Sequence, residues 1–312
     1  MDILFPNEQS SPESGTYQKE ISHMMHGFGD SPTPASQTVS LVESIVLQQM
    51  RGILHEALKN AERRGHKCVF PEDIIFLMRN NKIKLQRMLQ FMKSRYLVKN
   101  KSKLWGEGYT NILLEEDNEA NLKKKKKTFC DIVEFLDDTG ELSKCLNYDI
   151  VKHQRNMRAN KLSQGLSVEK YEAYHKARCT SFGFSQCKLA HTKLKQWLCP
   201  LNDMNIAFQS FDLLSYLAYE TVAQIVDLAF IVRQDGKGVM NDPFARLEGG
   251  NFCNPASLTN SLFVKTGQEG VSPITVAEVR EAMRRFSTPR IGSVGLFYRN
   301  IKNEIPMKFL AM

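Results

Sequence analysis

Apolar and polar positions follow a helical periodicity over most of the first hundred residues. Between 38 and 64 the apolar residues fill one wide arc of a helical wheel and polar residues fill the opposite arc, which indicates an amphipathic helix. Gly65 is typical of a helix end, and Pro71 followed by Glu72 and Asp73 is typical of a helix start. The pattern predicts, in order, a short helix at 17–25, a loop rich in Gly and Pro, the long helix at 38–64, an extended link at 67–70, a short helix from 71 and a basic amphipathic helix at 82–98.

The most apolar stretch, FDLLSYLAYETVAQIVDLAFIVRQ at 211–234, contains neither Gly nor Pro. As a helix it would be on the order of 35 Å long. It is apolar in almost every direction, so a soluble protein must wrap it with other helices. A narrow polar seam remains, and its spacing places its members on one side: Tyr216, Glu220, Gln224 and Asp227. This seam, and the lack of a long uninterrupted apolar run, argue against a membrane span.

The order of elements predicted for the first hundred residues is repeated around this stretch. A short helix from 185, a loop with Pro, the long apolar helix, a polar insertion and a closing helix follow one another. Short helix, loop, long helix, link and short helix form the histone-fold pattern, and one such unit cannot bury its own apolar arc. A tether holds the second unit at high effective concentration near the first. We therefore predict an all-α chain with two histone folds that form an intramolecular histone-fold pair, joined by a helical linker.

The predicted organisation has five parts. They are a disordered N-terminus at 1–16, a first histone fold with an extra C-terminal helix at 17–98, a linker with short helices at 99–184, a second histone fold at 185–287 with a polar insertion at 236–270, and a C-terminal docking tail at 288–312. Within the linker, 128–142 is predicted to be a short amphipathic helix. The polar, basic region 149–180 is predicted to be helical, with Tyr171 and Tyr174 as possible anchors.

Composition restricts the protein class without selecting a function. A chain of 312 residues has room for about two domains, and its net charge of +8 allows a nucleic-acid or acidic protein partner. The seven cysteines form no CxxC pair, and no signal peptide pattern is present. Reduced thiols in the cytosol or nucleus are therefore expected, and no membrane partner is predicted. The lysine run at 123–127 is open to three interpretations, namely a nuclear localisation signal, a DNA contact or a solvated linker, of which localisation and solvation are favoured.

Sequence motifs for catalysis are absent: the chain has no phosphate loop, no dinucleotide fingerprint, no HExxH and no GxSxG. We therefore predict no catalytic residue and no cofactor. Cys187 and His191 lie four residues apart, with Cys179 and Cys199 on either side. This spacing matches no common structural zinc pattern, so packing in the core is the favoured interpretation over a metal site.

Two surfaces are candidates for partner binding. The seam could present an acidic line to a basic partner and steer its approach. The seam could equally be a solvated helix edge, or be satisfied by arginines within the fold pair. The tail combines apolar and basic residues, of which Phe297, Tyr298 and Arg299 are the proposed contacts. Such a segment is expected to dock, either on its own fold pair or on a neighbouring subunit.

Three stretches carry a family resemblance: FPEDIIFLMR at 70–79, YLAYETVAQIVDLA at 216–229 and SVGLFYRNIKNEIPM at 293–307. They resemble the Spt-three type transcription initiation proteins, which are subunits of the SAGA co-activator complex. DDTGEL at 137–142 is similar to the middle region of that family. The resemblance covers most of 17–235 and the closing portion, and it is weak in the insertion.

This resemblance implies a nuclear adaptor without enzymatic activity. It also implies that the protein works within a SAGA-type complex and contacts the TATA-binding protein, influencing the delivery of that protein to promoters. The basic surfaces of the TATA-binding protein suit an acidic seam. The fold pair is similar to a two-chain histone-fold heterodimer in TFIID. The alternative is a histone-like DNA-binding protein, and a weak DNA contact through the basic helix at 82–103 or the linker is kept open.

Overall fold

A computed structural model describes residues 16–106, 132, 137, 140, 148–183, 188–201, 204–236, 272–288 and 308–312. The helices are α1 Gln18–Gly27, α2 Ser36–Arg63, α3 Pro71–Leu77, α4 Lys82–Gly106, α5 Ile150–Gln164, α6 Val168–Cys179, α7 Lys188–Leu198, α8 Ser210–Gly236 and α9 Val276–Ser287. Two short strands, β1 Cys68–Val69 and β2 Asn205–Ile206, and a short 3-10 helix, Met78–Asn80, also lie in these ranges. The prediction of an all-α chain is confirmed.

Helix ends lie where the sequence signals predict them. Helix α2 ends just before Gly65, which has a φ of 76°, a left-handed conformation that glycine adopts without steric cost. Pro71 is the first residue of α3, and the carboxylate of Asp73 accepts a hydrogen bond of 2.9 Å from the Phe70 N–H. Local chemistry therefore determines the link between the long and short helices of the first histone fold.

The two histone folds pair head to tail through their loops. Strand β1, which follows the long helix α2, pairs in parallel with β2, which precedes the long helix α8. Cys68 lies opposite Asn205 and Val69 lies opposite Ile206. The Ala207 N–H donates to the Val69 carbonyl at 3.0 Å. The second loop of the first fold therefore meets the first loop of the second fold.

The opposite pair of loops is joined by side chains. Asp30, in the loop before α2, accepts a hydrogen bond of 2.9 Å from the N–H of Ile274, in the segment before α9. The Thr38 hydroxyl donates to the Ile274 carbonyl at 2.8 Å. Because both ends of the pair are closed in this reciprocal way, the intramolecular histone-fold pair is confirmed.

Helix α8 is the centre of the core. Most of its residues are buried, and they share one apolar cluster with the inner face of α2, including Val46, Met50 and Ile53. By length and composition alone α8 is the one helix in the described ranges that could cross a membrane. Its apolar window is 72% buried beneath neighbouring helices, as expected for the core helix of a paired fold.

Two helices of the linker pack on the fold pair. Helix α6 lies against α1 so closely that a Cβ on Gly27 would be 3.0 Å from the carbonyl oxygen of Ala177. Tyr174 is 1% exposed and is an anchor as predicted, whereas Tyr171 is 46% exposed and is not. The difference arises because α6 turns only one narrow side, with Tyr174 and Ala177, toward the pair.

The last described segment, 308–312, docks on the chain's own fold pair. Leu310 and Ala311 are buried in the core cluster. The Lys84 ammonium donates to the carbonyl of Leu310 at 2.7 Å and to that of Met312 at 3.0 Å, and the Leu310 N–H donates to the Gln49 side chain at 3.1 Å. The end of the predicted tail therefore lies between α2 and α4.

Several predictions concern residues outside the described ranges. These are the N-terminal segment 1–15, the lysine run at 123–127, most of the helix expected at 128–142, and the insertion after Gly236. Of the expected helix, Ile132 is helical and buried. The basic helix α4 extends to Gly106, beyond the predicted 98. The five domain limits themselves stay predictions.

Candidate partner-binding site

The polar seam of α8 is buried, so its expected exposure is wrong. Tyr216 and Glu220 are each 3% exposed, Asp227 is 7% exposed, and Gln224 is half-buried. The reason is that side chains of α4 and α5 lie over this side of α8. The polar seam of this otherwise apolar helix therefore contacts other polar side chains and not solvent.

Three arginines satisfy the carboxylates of the seam. Arg155 of α5 donates through Nε to Asp227 Oδ2 at 2.7 Å and through Nη1 to Glu220 Oε2 at 2.9 Å. Arg87 of α4 donates through Nη1 to Glu220 Oε1 at 2.5 Å. Arg158, one turn after Arg155, donates to Asp227 Oδ1. Arginines of this chain therefore satisfy the seam, but only Arg87 comes from the fold pair, and Arg155 and Arg158 come from the linker helix α5.

A third carboxylate extends this cluster to the start of α5. Asp149 is the N-cap of α5 and accepts from the Lys152 N–H at 3.0 Å. It also accepts two hydrogen bonds from Arg87, through Nε at 2.5 Å and Nη2 at 2.8 Å. Two-point pairing of this kind fixes direction as well as distance. We call the six residues the arginine–carboxylate network: Arg87, Asp149, Arg155, Arg158, Glu220 and Asp227.

Two carboxylates of the network, those of Asp149 and Asp227, are held ionised because their pKa values are lowered. Burial raises the pKa of Asp227, but the charges of Arg155 and Arg158 outweigh burial and lower the pKa below its ordinary value. Burial likewise raises the pKa of Asp149, and its hydrogen bonds from Arg87 reverse the direction. Burial, reinforced by the charge of Glu220, raises the pKa of Tyr216 well above its ordinary value, so its hydroxyl stays protonated at neutral pH.

A cavity of about 260 Å³ lies beside the network. The end of α1 and the facing sides of α4, α5, α6 and α8 enclose it, with Gly27, Gln90, Asn156 and Tyr174 among the lining residues. Aromatic rings form part of its wall: Phe28, Phe91, Tyr216 and Tyr219. The linker helices thus create a concave site that neither histone fold would have alone.

The other predicted site residues are distributed differently. Phe297, Tyr298 and Arg299 lie outside the described residues, so their partner contact stays a prediction, as does that of the seam. His191 is buried, with Nε2 3.3 Å from Asp212 Oδ1. In the part of the chain that the structure describes, no group of three His, Cys, Asp or Glu side chains could hold a metal ion.

The sequence analysis allowed for arginines as partners of the seam but did not identify which ones. Arg155 and Arg158 lie three residues apart in a segment that reads only as polar and basic, and Arg87 lies in a basic helix. A signal was available, because buried carboxylates at helical spacing require cations at matching spacing on a covering helix. The paired residues lie 62 to 133 positions apart in the sequence. Helical periodicity gives no information on contacts between such distant residues.

The chain is similar to known transcription proteins along most of its length. The family model described as the 18 kDa subunit of transcription initiation factor IID matches residues 15–107. The chain is 30% identical to SAGA complex subunit Spt3 of Drosophila melanogaster over 297 residues, which is 94% of this chain and 73% of the relative. It is 25% identical to SAGA complex subunit Spt3 of Schizosaccharomyces pombe over 284 residues, covering 88% and 90% of the two chains. TFIID subunit 13 of Arabidopsis thaliana is 37% identical over 76 residues, 24% of this chain and 59% of the relative.

Proposed function

Because the chain belongs to the family of SAGA complex subunits named Spt3, whose role is transcription co-activation, we propose that it contacts the TATA-binding protein and helps to recruit it to promoters. The observation that carries this proposal is the match over 94% of the chain to a SAGA subunit. The chain acts inside a SAGA-type complex in the nucleus, together with other subunits. It is an adaptor without enzymatic activity.

The histone-fold pair gives this function a physical basis. Both folds lie in one chain, so the pair forms without a second subunit. The loops at both ends are closed, at β1 with β2 and at Asp30 with Ile274. A rigid pair of this kind can hold two partner surfaces at a fixed spacing, which is what an adaptor requires.

Burial of the seam changes which residues we propose to contact the TATA-binding protein. Glu220 and Asp227 are paired with arginines inside the chain and are not available as a free acidic line. They support partner binding by holding α4 and α5 in place. The tail residues Phe297, Tyr298 and Arg299 are the proposed direct contacts.

Sedimentation velocity of the purified full chain with the core of the TATA-binding protein tests this proposal. A variant with alanine at 297, 298 and 299 is compared with a matched triple-alanine control at the exposed positions 170, 171 and 172 of α6. We expect a complex with the wild-type chain and the control, and a complex weakened at least tenfold with the tail variant. Absence of any complex would reject the direct contact while leaving the family assignment intact.

Duplex DNA in the same experiment tests the alternative of a histone-like DNA-binding protein. Phosphate binding by several Lys and Arg side chains releases counterions, so the affinity would fall steeply with salt. We expect weak DNA binding at physiological salt, well below the binding of the TATA-binding protein. Tight, steeply salt-dependent DNA binding without a protein complex would favour the alternative.

A further inference from the structure

The cavity beside the arginine–carboxylate network has a strongly cationic lining. Five cationic side chains line it: Arg87, Lys152, Arg155, Arg158 and Arg178. Glu220 is the single carboxylate among its lining residues. That carboxylate already accepts hydrogen bonds from two arginines and from the Gln224 amide at 3.1 Å. A basic ligand would therefore meet repulsion here, and an acidic one would meet attraction.

Two lining residues carry buried polar atoms without a partner in the described part of the chain. They are Nη2 of Arg155 and the hydroxyl of Tyr216. Tyr216 is only 3% exposed, so bulk water does not readily satisfy its hydroxyl. Buried donors left unpaired cost free energy, and native proteins rarely retain them without a reason. Both residues line the cavity, Arg155 from α5 and Tyr216 from α8.

Two of the cations are surplus to the network. Lys152 donates to the Gln90 side chain at 2.8 Å, and Arg178 lies over the Tyr174 ring at 5.9 Å. Neither forms a salt bridge among the residues that the structure describes. The three arginines of the network are balanced by three carboxylates, so these two cations give the cavity a net positive charge.

The size and walls of the cavity restrict its ligand. A volume of about 260 Å³ lies just below the range of drug-sized ligand pockets, which suits one or two side chains and not a nucleic-acid duplex. The rings of Phe28, Phe91 and Tyr219 offer apolar contact beside the charges. This combination fits a carboxylate side chain that is flanked by an apolar residue in a peptide.

We propose that this cavity binds an acidic segment of a partner protein. An Asp or Glu carboxylate of that segment accepts hydrogen bonds from Arg155 Nη2 and the Tyr216 hydroxyl, while Lys152 and Arg178 balance its charge. A neighbouring apolar side chain packs on the aromatic wall. This site is separate from the proposed contact with the TATA-binding protein, and it has the opposite charge preference to the one expected for an exposed acidic seam.

Fluorescence anisotropy of the full chain with two labelled pools of decapeptides tests the site. One pool alternates Asp or Glu with Phe, Leu or Tyr, and the other replaces each acid by its amide. We expect the acidic pool to bind at least tenfold more tightly than the amide pool. The Lys152→Glu/Arg178→Glu double variant should lose at least tenfold in affinity. A Lys170→Glu/Lys176→Glu double variant, with the same charge change at exposed positions outside the cavity lining, should lose less than threefold.

Tyr216→Phe separates binding from folding. Its hydroxyl has no partner in the described chain, so its removal should leave the thermal midpoint unchanged and weaken acidic-peptide binding severalfold. Equal binding of the two pools, or equal losses in both double variants, would overturn the proposal. Displacement of the labelled peptide by inorganic phosphate or a single-stranded oligonucleotide, at a lower concentration than unlabelled acidic peptide requires, would also overturn the proposal. Phosphate would then be the ligand.

Discussion

Arg155 and Glu220 are joined by two hydrogen bonds inside the protein, from one guanidinium nitrogen to carboxylate oxygens at 3.1 and 2.9 Å. Arg155 belongs to a linker helix and Glu220 to the central helix of the second histone fold. Arg87, from the first fold, bonds the same carboxylate. One buried carboxylate thus connects both folds and the linker, so charge pairing complements the apolar core in fixing their arrangement.

Glu220→Gln should destabilise the protein strongly. The substitution keeps the shape of the side chain but leaves three arginines with two carboxylates, so one buried positive charge of the network is no longer balanced. Breaking a buried pair in this way costs about 3–5 kcal/mol. Urea unfolding followed by circular dichroism measures the loss, with Glu169→Gln on the exposed side of α6 as the control. A loss equal to that of the control would mean that the network contributes little to stability.

Acid should weaken the network through Asp227. Its pKa is lowered in the folded state, so its contribution to stability is fully present above the unfolded value of about 3.9 and is lost as the pH falls through the lower folded value. Unfolding free energies measured in urea from pH 6 down to pH 2 should therefore fall, and Asp227→Asn should flatten that fall.

Asp30 provides a control of opposite sign for the acid experiment. Burial raises the pKa of Asp30, so its contribution to stability is present below the unfolded value and is lost as the pH rises through the folded value. Asp30→Asn, which can still accept the Ile274 N–H, should steepen the acid decline. Identical slopes for wild type and both variants would show that neither carboxyl changes its proton affinity on folding.

Helical periodicity was enough to predict the fold, because each histone fold buries a continuous arc that is local in sequence. The limits of α2 and α8 agree with their predicted ranges to within two residues. The site was predicted less well, because the polarity of the seam left both exposure and pairing with internal arginines open. The covering helix α5 has few apolar residues and is held by charge pairs such as Arg158 with Asp227. Pairing between distant charges is invisible to a pattern of apolar positions.

Gly27→Ala should loosen α6 from the fold pair. A Cβ at this position would lie 3.0 Å from the backbone oxygen of Ala177, which cannot move without its helix. We expect the free energy of unfolding to fall by about 1–3 kcal/mol, and amide hydrogens to exchange faster in α6 than in α8. Gly165→Ala is the matched control, since nothing lies within 4 Å of its added Cβ. Unchanged exchange in α6 would show that α1 and α6 adjust without cost.

Leu310→Ala should show that the docked end of the tail contributes to stability. The Leu310 side chain is 1% exposed within the core cluster, and shortening a buried leucine to alanine costs about 2–5 kcal/mol. Thermal and urea unfolding give the difference. Lys308→Ala, at an exposed position two residues earlier, should change the midpoint little. Equal midpoints for the two variants would mean that the segment is not part of the folding core.

A chain divided into fragments 1–121 and 122–312 should assemble from its two parts. Neither fragment can bury its long helix alone, since α2 and α8 share one core, so each should aggregate when expressed separately. Co-expression with an affinity tag on one fragment should yield a one-to-one complex. Size-exclusion chromatography and circular dichroism then measure its size and helicity, and two fragments that fold separately would contradict the shared core.

The divided chain also isolates the contribution of Arg87, which lies in the first fragment, whereas its partners Asp149 and Glu220 lie in the second. Arg87→Ala should weaken the reassembled complex by a hundredfold or more, because loss of about 3–5 kcal/mol corresponds to that change in affinity. Arg79→Ala is the matched control, since Arg79 is exposed and contacts Phe76 of its own fragment. Equal affinities of the two variants would show that the network forms only after the apolar surfaces have paired and adds nothing to assembly.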